Sequence, residues 1–189
     1  MRNLEIKATT ASLAATRRRL RGLPGAGRHA ILRQTDWYFR VPSGRLKLRV
    51  VGANRAGELI AYRRPDRTGA RTSEFQRLPT ADAAGTRRLL ERMLGAEGCV
   101  RKRREVWLYQ NARIHLDTVE GLGRFIEIEV VMTQGMPQAR ALMKELREVL
   151  GISSGDLLAG SYGELLGGNR RNAAGRAHTR VAQATRRRG

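Results

Sequence analysis

Three carboxylates, those of Asp117, Glu127 and Glu129, lie in a stretch whose residue pattern is typical of two β-strands. Polar and apolar residues alternate on both sides of Gly121 and Gly123, and these glycines predict a turn between the strands. Such a hairpin would bring the acids close together, and carboxylates on a concave sheet face attract a hard cation such as Mg²⁺ or Mn²⁺. The spacing is equally typical of a solvated outer strand face.

Basic residues alternate in the same way in other predicted strands. The alternating charged positions are Glu5 and Lys7, Lys47 and Arg49, and Lys102 and Arg104. Most basic residues of the chain are arginines, an excess that the base composition of the gene could explain, yet lysines occur in these strands. A lysine amine can act as a point charge on a phosphate, whereas arginine binds through a planar fork. These strands are therefore candidates for binding a phosphorylated anion.

Composition limits the class of protein. The chain has 189 residues, 41% of them hydrophobic, which is enough for one domain with a real core. Its formal net charge of +20 attracts polyanions without identifying one. Cys99 is the single cysteine, which excludes an internal disulfide, and no apolar run approaches the roughly 18 residues of a membrane span. With no apolar signal segment at the start, the sequence predicts a soluble, cytoplasmic protein with no membrane partner.

The C-terminal residues differ from the rest. Residues 167–189 carry seven arginines and no acid, and they show no periodicity. They predict a disordered, Arg-rich tail after a folded domain of residues 1–166. Nucleic acid is a partner to consider only through this tail, which lacks the basic–aromatic interleaving of single-strand binders.

The alternation predicts seven or eight short strands, joined mostly by turns, and three or four helices. Helices are predicted over residues 13–21, 81–94 and 137–150, with a last short one that begins at Ser153 or Ser154 and carries Leu157, Leu158, Leu165 and Leu166. The expected fold class is α+β, an antiparallel, closed or nearly closed eight-stranded β-barrel with the helices packed outside it.

The charged strand faces decide what such a barrel contains. Turned inward, they would line a bore with both signs of charge, and buried unpaired charge is unfavourable without water or a ligand. A wet tunnel built for a metal–phosphate complex solves this problem, because the acids bind the cation and the basic groups bind the phosphates. The alternative is that these charges face bulk solvent around an aliphatic core. Clustering of charge over five strands favours the inward arrangement.

Two further residues are weaker candidates. His115 shares the strand face of Asp117 and could face the tunnel, although a lone histidine is more often a structural group. Asp36 lies in a β-prone aromatic run and could orient basic side chains.

The order and spacing of several short motifs resemble the CYTH superfamily, the triphosphate tunnel metalloenzymes, over residues 1–166. The motifs are Leu4-Glu5-Ile6-Lys7, Gln34-Thr35-Asp36-Trp37-Tyr38-Phe39, Arg45-Leu46-Lys47-Leu48-Arg49, Arg101-Lys102-Arg103-Arg104, Leu116-Asp117 through Glu129, and Gly160-Ser161-Tyr162 with Leu165-Leu166. The Leu116 to Glu129 segment is most similar to the class IV adenylate cyclase-like branch, which is related to thiamine triphosphatase.

The resemblance implies roles for individual residues. It implies that Glu5, Asp117 and Glu127 are catalytic and bind Mg²⁺ or Mn²⁺, with Glu129 as a further ligand. It implies a triphosphate-binding set made of Lys7, Lys47, Arg49, Arg64, Lys102 and Arg104. The sequence departs from the family's opening Glu-x-Glu-x-Lys motif, since Asn3 stands at the first Glu position and cannot supply its negative charge.

The implied activity is metal-dependent chemistry on a triphosphate inside the tunnel. The first expectation is a class IV adenylate cyclase-like reaction, ATP to cyclic AMP and pyrophosphate. The alternatives are an inorganic or thiamine triphosphatase and a non-catalytic nucleotide- or polyphosphate-binding module. The sequence does not choose between cyclisation and hydrolysis, and it leaves the oligomeric state open.

Overall fold

The computed structural model describes residues 2–167, in which eight strands form one closed antiparallel barrel. The strands are β1 (Arg2–Thr9), β2 (Gly27–Phe39), β3 (Arg45–Val51), β4 (Gly57–Arg63), β5 (Arg71–Thr80), β6 (Ala96–Tyr109), β7 (Ala112–Val119) and β8 (Gly123–Val131). Around the barrel they follow the order β1-β5-β4-β3-β2-β6-β7-β8. The predicted α+β fold with a closed eight-stranded barrel is confirmed.

The first two helices begin after residues whose side chains accept a hydrogen bond from a free backbone amide. Helix α1 (Leu13–Arg21) is capped by Ser12, whose side chain accepts from the Ala15 amide at 3.2 Å. Helix α2 (Ala83–Leu94) is capped in the same way by Asp82, and α3 (Met136–Leu150) has proline in its first turn. A 3-10 turn (Ser154–Asp156) follows, and residues 162–167 are helical.

The apolar core lies between the barrel and the helices. Strand residues such as Ile6, Ile114 and Ile128 point outward and pack with Leu20 of α1 and Leu146 of α3. A second cluster joins α2 to β2 and β3. Because successive side chains in a strand alternate, packing the aliphatic faces against helices turns the charged faces into the barrel. The predicted inward orientation is therefore confirmed.

The hairpin of β7 and β8 sets the register of the acids. His115 lies opposite Glu127, Arg113 opposite Glu129 and Asp117 opposite Phe125. The turn between the strands includes Gly121 at φ +73°, a left-handed conformation that favours glycine. The odd-numbered residues of both strands consequently face the barrel interior.

The prediction of a last helix that carries Leu157 and Leu158 is wrong, because these two residues are extended. Leu157 pairs with Ala8 in an isolated β-bridge, and the Leu158 amide donates to the Lys7 carbonyl at 2.8 Å. These bonds to β1 hold the segment extended, so that helix resumes only at residue 162. The tail was predicted to begin at residue 167, which instead belongs to this helical segment, and the remainder of the predicted tail, residues 168–189, lies outside the described residues.

Between residues 2 and 167 no helix is long and apolar enough to cross a membrane.

Candidate active site

The barrel encloses a cavity of about 440 Å³. Its wall includes every residue predicted to bind triphosphate, namely Lys7, Lys47, Arg49, Arg64, Lys102 and Arg104. The predicted metal ligands Glu5, Glu127 and Glu129 lie on the same wall, whereas Asp117 is buried behind Arg104. The alternation of the strands thus gathers the predicted site residues around one space.

The two ends of the cavity differ. One end is covered by Tyr162, which lies in the helical segment 162–167. The centroid of its ring lies 3.6 Å from Lys7 Nζ. Its hydroxyl donates to Asp117 Oδ2 at 2.8 Å, and burial, followed by the negative charge of Asp117, raises the pKa of Tyr162 well above its usual range. The other end is lined by His29 and Arg77, which are exposed. The C-terminal segment therefore closes one end of the barrel.

Asp36 is the centre of a cation-rich wall, which we call the Asp36 cluster (Asp36, Lys47, Arg49 and Lys102). The Asp36 carboxylate is completely buried and accepts from Arg49 Nε and Nη2 at 2.7 and 2.8 Å. It also accepts from Lys102 Nζ at 2.9 Å and lies 3.4 Å from Lys47 Nζ. One carboxylate faces three basic groups, so the cluster keeps an excess of positive charge when these groups are protonated.

Burial and the charges of neighbouring groups shift the pKa values of the side chains in this cluster. Burial alone would raise the pKa of Asp36, but Arg49, Lys102 and Lys47 together hold it well below its usual range. Burial lowers the pKa of Lys102 to about 7, although Asp36 opposes the shift. Burial and the charge of Arg49 lower the pKa of Lys47 to about 8. Both amines therefore change protonation state between about pH 6 and pH 9, and a bound anion would favour their protonated forms.

Arg104 links two of the predicted catalytic acids. It donates from Nε and Nη2 to Asp117 at 2.8 and 2.6 Å, and from Nη2 to Glu127 Oε2 at 2.7 Å. Lys7 Nζ lies 3.3 Å from the same Glu127 oxygen. Burial would raise the pKa values of Asp117 and Glu127, but these basic neighbours hold both below their usual range. Both carboxylates are consequently ionised at neutral pH.

Glu5 lies at a different place on the wall. Its carboxylate accepts from Arg64 Nη1 at 2.5 Å and lies 3.5 Å from Arg71 Nε. Arg71 is completely buried and donates to the Leu158 carbonyl at 2.8 Å. Sequence reasoning missed Arg71, because only the pairing of β5 with β1 and the path of the C-terminal segment bring it to Glu5.

One group of three residues in the described chain converges as metal ligands do, and we call it the His115 trio (His115, Glu127 and Glu129). Their ligand atoms all lie within 4.8 Å of one another. Burial, followed by the charge of Arg104, lowers the pKa of His115 well below its usual range, so the imidazole is neutral. Burial and the charge of Glu127 raise the pKa of Glu129. Two carboxylates and a neutral imidazole are a suitable donor set for a divalent cation.

Asn3 lies beside this trio. In the amide orientation in which both the oxygen and the nitrogen have hydrogen-bond partners, the oxygen accepts from Arg113 Nη2 at 3.0 Å and the nitrogen donates to the Arg2 carbonyl at 3.0 Å. Arg113 Nη2 also lies 3.1 Å from Glu129 Oε2. Asn3 therefore contributes a neutral polar group at a position where the resemblance implies a second carboxylate.

Four apolar side chains lie among the charged ones on the cavity wall. Leu32, Ile60, Phe75 and Val106 all line the cavity, on strands β2, β4, β5 and β6. Leu32 and Val106 lie toward the exposed end, near His29. The cavity can thus contact an uncharged ring as well as an anion.

Several solved structures share this architecture. The PH1012 protein of Pyrococcus horikoshii is 25% identical over 86% of this chain and 98% of its own, with a TM-score of 0.77. A candidate adenylate cyclase of Vibrio parahaemolyticus is 18% identical over 87% and 97%, with a TM-score of 0.69. A candidate adenylyl cyclase of Hippeastrum, described as having a dominant triphosphatase activity, is 18% identical over 84% and 91%, with a TM-score of 0.55.

No curated protein sequence matches the chain. The family model of the CYTH domain, in contrast, matches residues 1–162. That range covers all eight strands, the residues of the cavity wall and Tyr162. The chain therefore belongs to the CYTH domain family.

Proposed function

We propose that this protein is a metal-dependent enzyme that acts on the triphosphate group of a small molecule inside the barrel. One observation carries the proposal: the wall of a single cavity has basic side chains gathered around Asp36 on one side and the converging candidate metal ligands of the His115 trio on another. A triphosphate bound to a divalent cation has the same division of charge. Membership of the CYTH family supports the proposal.

The basic residues bind and orient the phosphates. The Asp36 cluster offers an excess of positive charge, because one carboxylate is shared by three basic groups, and Arg49 is held by its two hydrogen bonds to Asp36. Arg64, Arg104 and Lys7 extend the basic wall toward the closed end. Preorganised charges of this kind stabilise negative charge that develops on a leaving phosphate, because they need no reorganisation during the reaction.

Glu127 and Glu129 are the residues best placed to hold the metal, with Glu5 and Asp117 as the further ligands that the resemblance implies. When bound, a divalent cation neutralises phosphate oxygens and polarises the reacting phosphorus. In the structure all four acids are paired with arginine: Asp117 and Glu127 with Arg104, Glu5 with Arg64, and Glu129 with Arg113. Phosphates that compete for these arginines would free the acids, so anion and metal are expected to bind cooperatively.

The reaction that we propose first is cyclisation of ATP. The ribose 3′-oxygen forms a bond to the α-phosphorus, the bond from that phosphorus to pyrophosphate breaks, and the 3′-hydroxyl proton leaves to solvent. The apolar side chains on the wall support a substrate that carries an organic ring, because inorganic triphosphate has no apolar surface to bury there. Hydrolysis by water at the terminal phosphorus is the competing reaction in the same site.

Product analysis tests the proposal. Purified full-length protein is incubated with Mg²⁺ or Mn²⁺ and, separately, with ATP, thiamine triphosphate or inorganic triphosphate. Cyclic AMP and pyrophosphate are the expected products from ATP. Release of phosphate without cyclic AMP would replace the cyclase proposal by a triphosphatase. Tight binding of every triphosphate without turnover would make the protein a binding module and overturn the enzymatic proposal.

A further inference from the structure

His115 is the one member of the trio that the family resemblance does not assign to the metal. It lies on β7 directly opposite Glu127 of β8, and its side chain lines the cavity. Only 5% of the residue is exposed. The histidine is thus held inside the barrel, on the same wall as the acids.

The imidazole has an unused ligand atom. Among the described residues no group accepts from or donates to His115 Nδ1, although this nitrogen is buried. Burying a polar atom without a partner is unfavourable, and most native proteins avoid it. A structural histidine would normally bond a carbonyl or a hydroxyl. An open nitrogen inside a charged cavity instead suggests that the partner is a ligand.

The distances suit a cation. Nδ1 lies 3.7 Å from Glu129 Oε1, which is too far for a hydrogen bond. Two ligands bonded to one transition-metal ion at about 2.1 Å lie roughly 3.0–3.5 Å apart, so a small adjustment brings both into contact with an ion between them. The charged groups that face the imidazole are Arg104, Glu127, Asp117, Arg113 and Glu129. The two trio carboxylates would balance the charge of a dication once it takes the place of their contacts with Arg104, Lys7 and Arg113.

We propose that His115 is a metal ligand in this protein and that the cation in the barrel is bound by one imidazole nitrogen and the carboxylates of Glu127 and Glu129. Imidazole suits first-row transition metals better than Mg²⁺, which prefers oxygen ligands in octahedral geometry. The site consequently selects Mn²⁺ or a later first-row dication over Mg²⁺. The neutral Asn3 beside Glu129 leaves room for this selectivity, because it adds no second hard carboxylate there.

Electron paramagnetic resonance of bound Mn²⁺ reads the ligand directly. The probe is MnCl₂ added to the full-length protein, with and without bis(methylene) triphosphate, an anion that resists hydrolysis and contains no nitrogen. Pulsed measurements detect coupling of the Mn²⁺ electron spin to a directly bonded ¹⁴N nucleus. The test variant is His115→Asn. The matched control is His29→Asn, which removes the exposed imidazole at the cavity end and leaves the trio intact.

The expected result is ¹⁴N coupling in the wild type and in H29N and its loss in H115N. We also expect the Mn²⁺ dissociation constant to rise about tenfold or more in H115N, with a much smaller change for Mg²⁺. Bound Mn²⁺ without ¹⁴N coupling in the wild type would overturn the proposal, as would coupling that persists in H115N. If H115N does not fold, His115→Gln replaces it, and the ¹⁴N coupling must be lost in that variant as well.

This inference rests on one part of the proposed function, namely that a divalent cation enters the barrel. Turnover without ¹⁴N coupling would refute the ligand and keep the enzyme. Nitrogen coupling without turnover would refute the enzyme and keep the ligand. A protein that binds no Mn²⁺, with or without the anion, would overturn both.

Discussion

The Asp36 cluster and the His115 trio face the same cavity but use their acids in opposite ways. Asp36 is fully satisfied, since three basic groups surround it and it orients Arg49 by two hydrogen bonds. In the trio, two carboxylates and an imidazole converge, and one imidazole nitrogen has no partner in the described chain. The first acid is part of an anion site, whereas the acids of the second are arranged for a cation.

This difference shows that a carboxylate in a charged interior need not be a metal ligand. What matters is whether its neighbours are cations that neutralise it or further donors that leave it unbalanced. Glu127 belongs to both settings, because it contacts Arg104 and Lys7 and also lies in the trio. It is the residue through which anion binding and cation binding are expected to influence each other.

The largest expected effect comes from Glu127→Gln. The substitution removes a charged ligand from the trio with little change in shape, and we expect metal-dependent turnover of triphosphate to fall more than about 100-fold. Steady-state kinetics with Mn²⁺ measures the effect, and a melting curve verifies that the variant is folded. Glu74→Gln is the matched control, because Glu74 pairs with Arg2 on the outer surface. Full turnover in E127Q would refute the division between the two clusters.

Asp36→Asn should instead act mainly on stability. It removes the negative charge that pairs with buried Lys102 and with the partly buried Lys47 and Arg49, and breaking such a network reduces the free energy of unfolding by about 3–5 kcal/mol. Because the pKa of Asp36 is held well below its usual range, its stabilising effect is present above about pH 4 and is lost as pH falls further. Urea denaturation measures the change.

The control for this experiment is Asp66→Asn, whose exposed ion pair with Arg45 should contribute less than about 1 kcal/mol. Inorganic triphosphate should raise the melting temperature of D36N more than that of the wild type, because the anion replaces the lost negative charge. No extra stabilisation by the anion would contradict the assignment of this cluster to phosphate binding.

The pH dependence of anion binding gives a third, intermediate effect. The pKa values of Lys102 and Lys47 are lowered to about 7 and about 8, so the free protein loses these two charges as pH rises from 6 to 9. Triphosphate binds best to the protonated amines, and its affinity should therefore fall over this range while binding takes up protons. Calorimetry in buffers of different ionisation enthalpy measures both quantities.

Lys102→Arg sharpens this prediction. Arginine stays protonated over the whole range, so the variant should bind triphosphate with a weaker dependence on pH and take up fewer protons. An unchanged pH profile in K102R would show that Lys102 does not titrate in the binding reaction.

The smallest expected effect is that of Tyr162→Phe. The substitution removes the hydroxyl that donates to Asp117 but keeps the ring over Lys7, and it should reduce the free energy of unfolding by about 1 kcal/mol. Thermal melting measures the change. Tyr162→Ala, which also removes the ring, should be clearly less stable than Y162F; equal stability of the two would mean that the ring does not help to close the barrel.

The fold could be predicted to a large extent because its signal is local. Alternation at residues such as Lys47, Arg49, Lys102 and Arg104 has the strand period, and the opposite face is aliphatic in strands such as β1 and β3. The middle of the last helix could not be predicted, because Leu157 and Leu158 are held extended by bonds to β1, which are remote in sequence.

The hydrogen-bond partners of the candidate site residues could not be predicted from the sequence either, because they too depend on contacts between segments that are remote in sequence. Asp117 bonds Arg104 because β6 and β7 are neighbours in a specific register, and Asp36 meets Lys102 only because β2 lies between β3 and β6. The sequence made His115 only a weaker candidate for facing the tunnel, and its open nitrogen depends on the exact positions of Glu127 and Glu129. No feature of the sequence marked Arg71 as a residue of the site. The assigned roles of Glu5, Asp117, Glu127 and Glu129 stay predictions.

A crystal structure of the protein with inorganic triphosphate and Mn²⁺, collected at a wavelength at which manganese scatters anomalously, tests the central claim most directly. We predict phosphate oxygens in hydrogen-bonding contact with Lys47, Arg49 and Lys102, and an anomalous peak at Glu127 and Glu129. An anion bound only on the outer surface, with no manganese inside the barrel, would contradict the account.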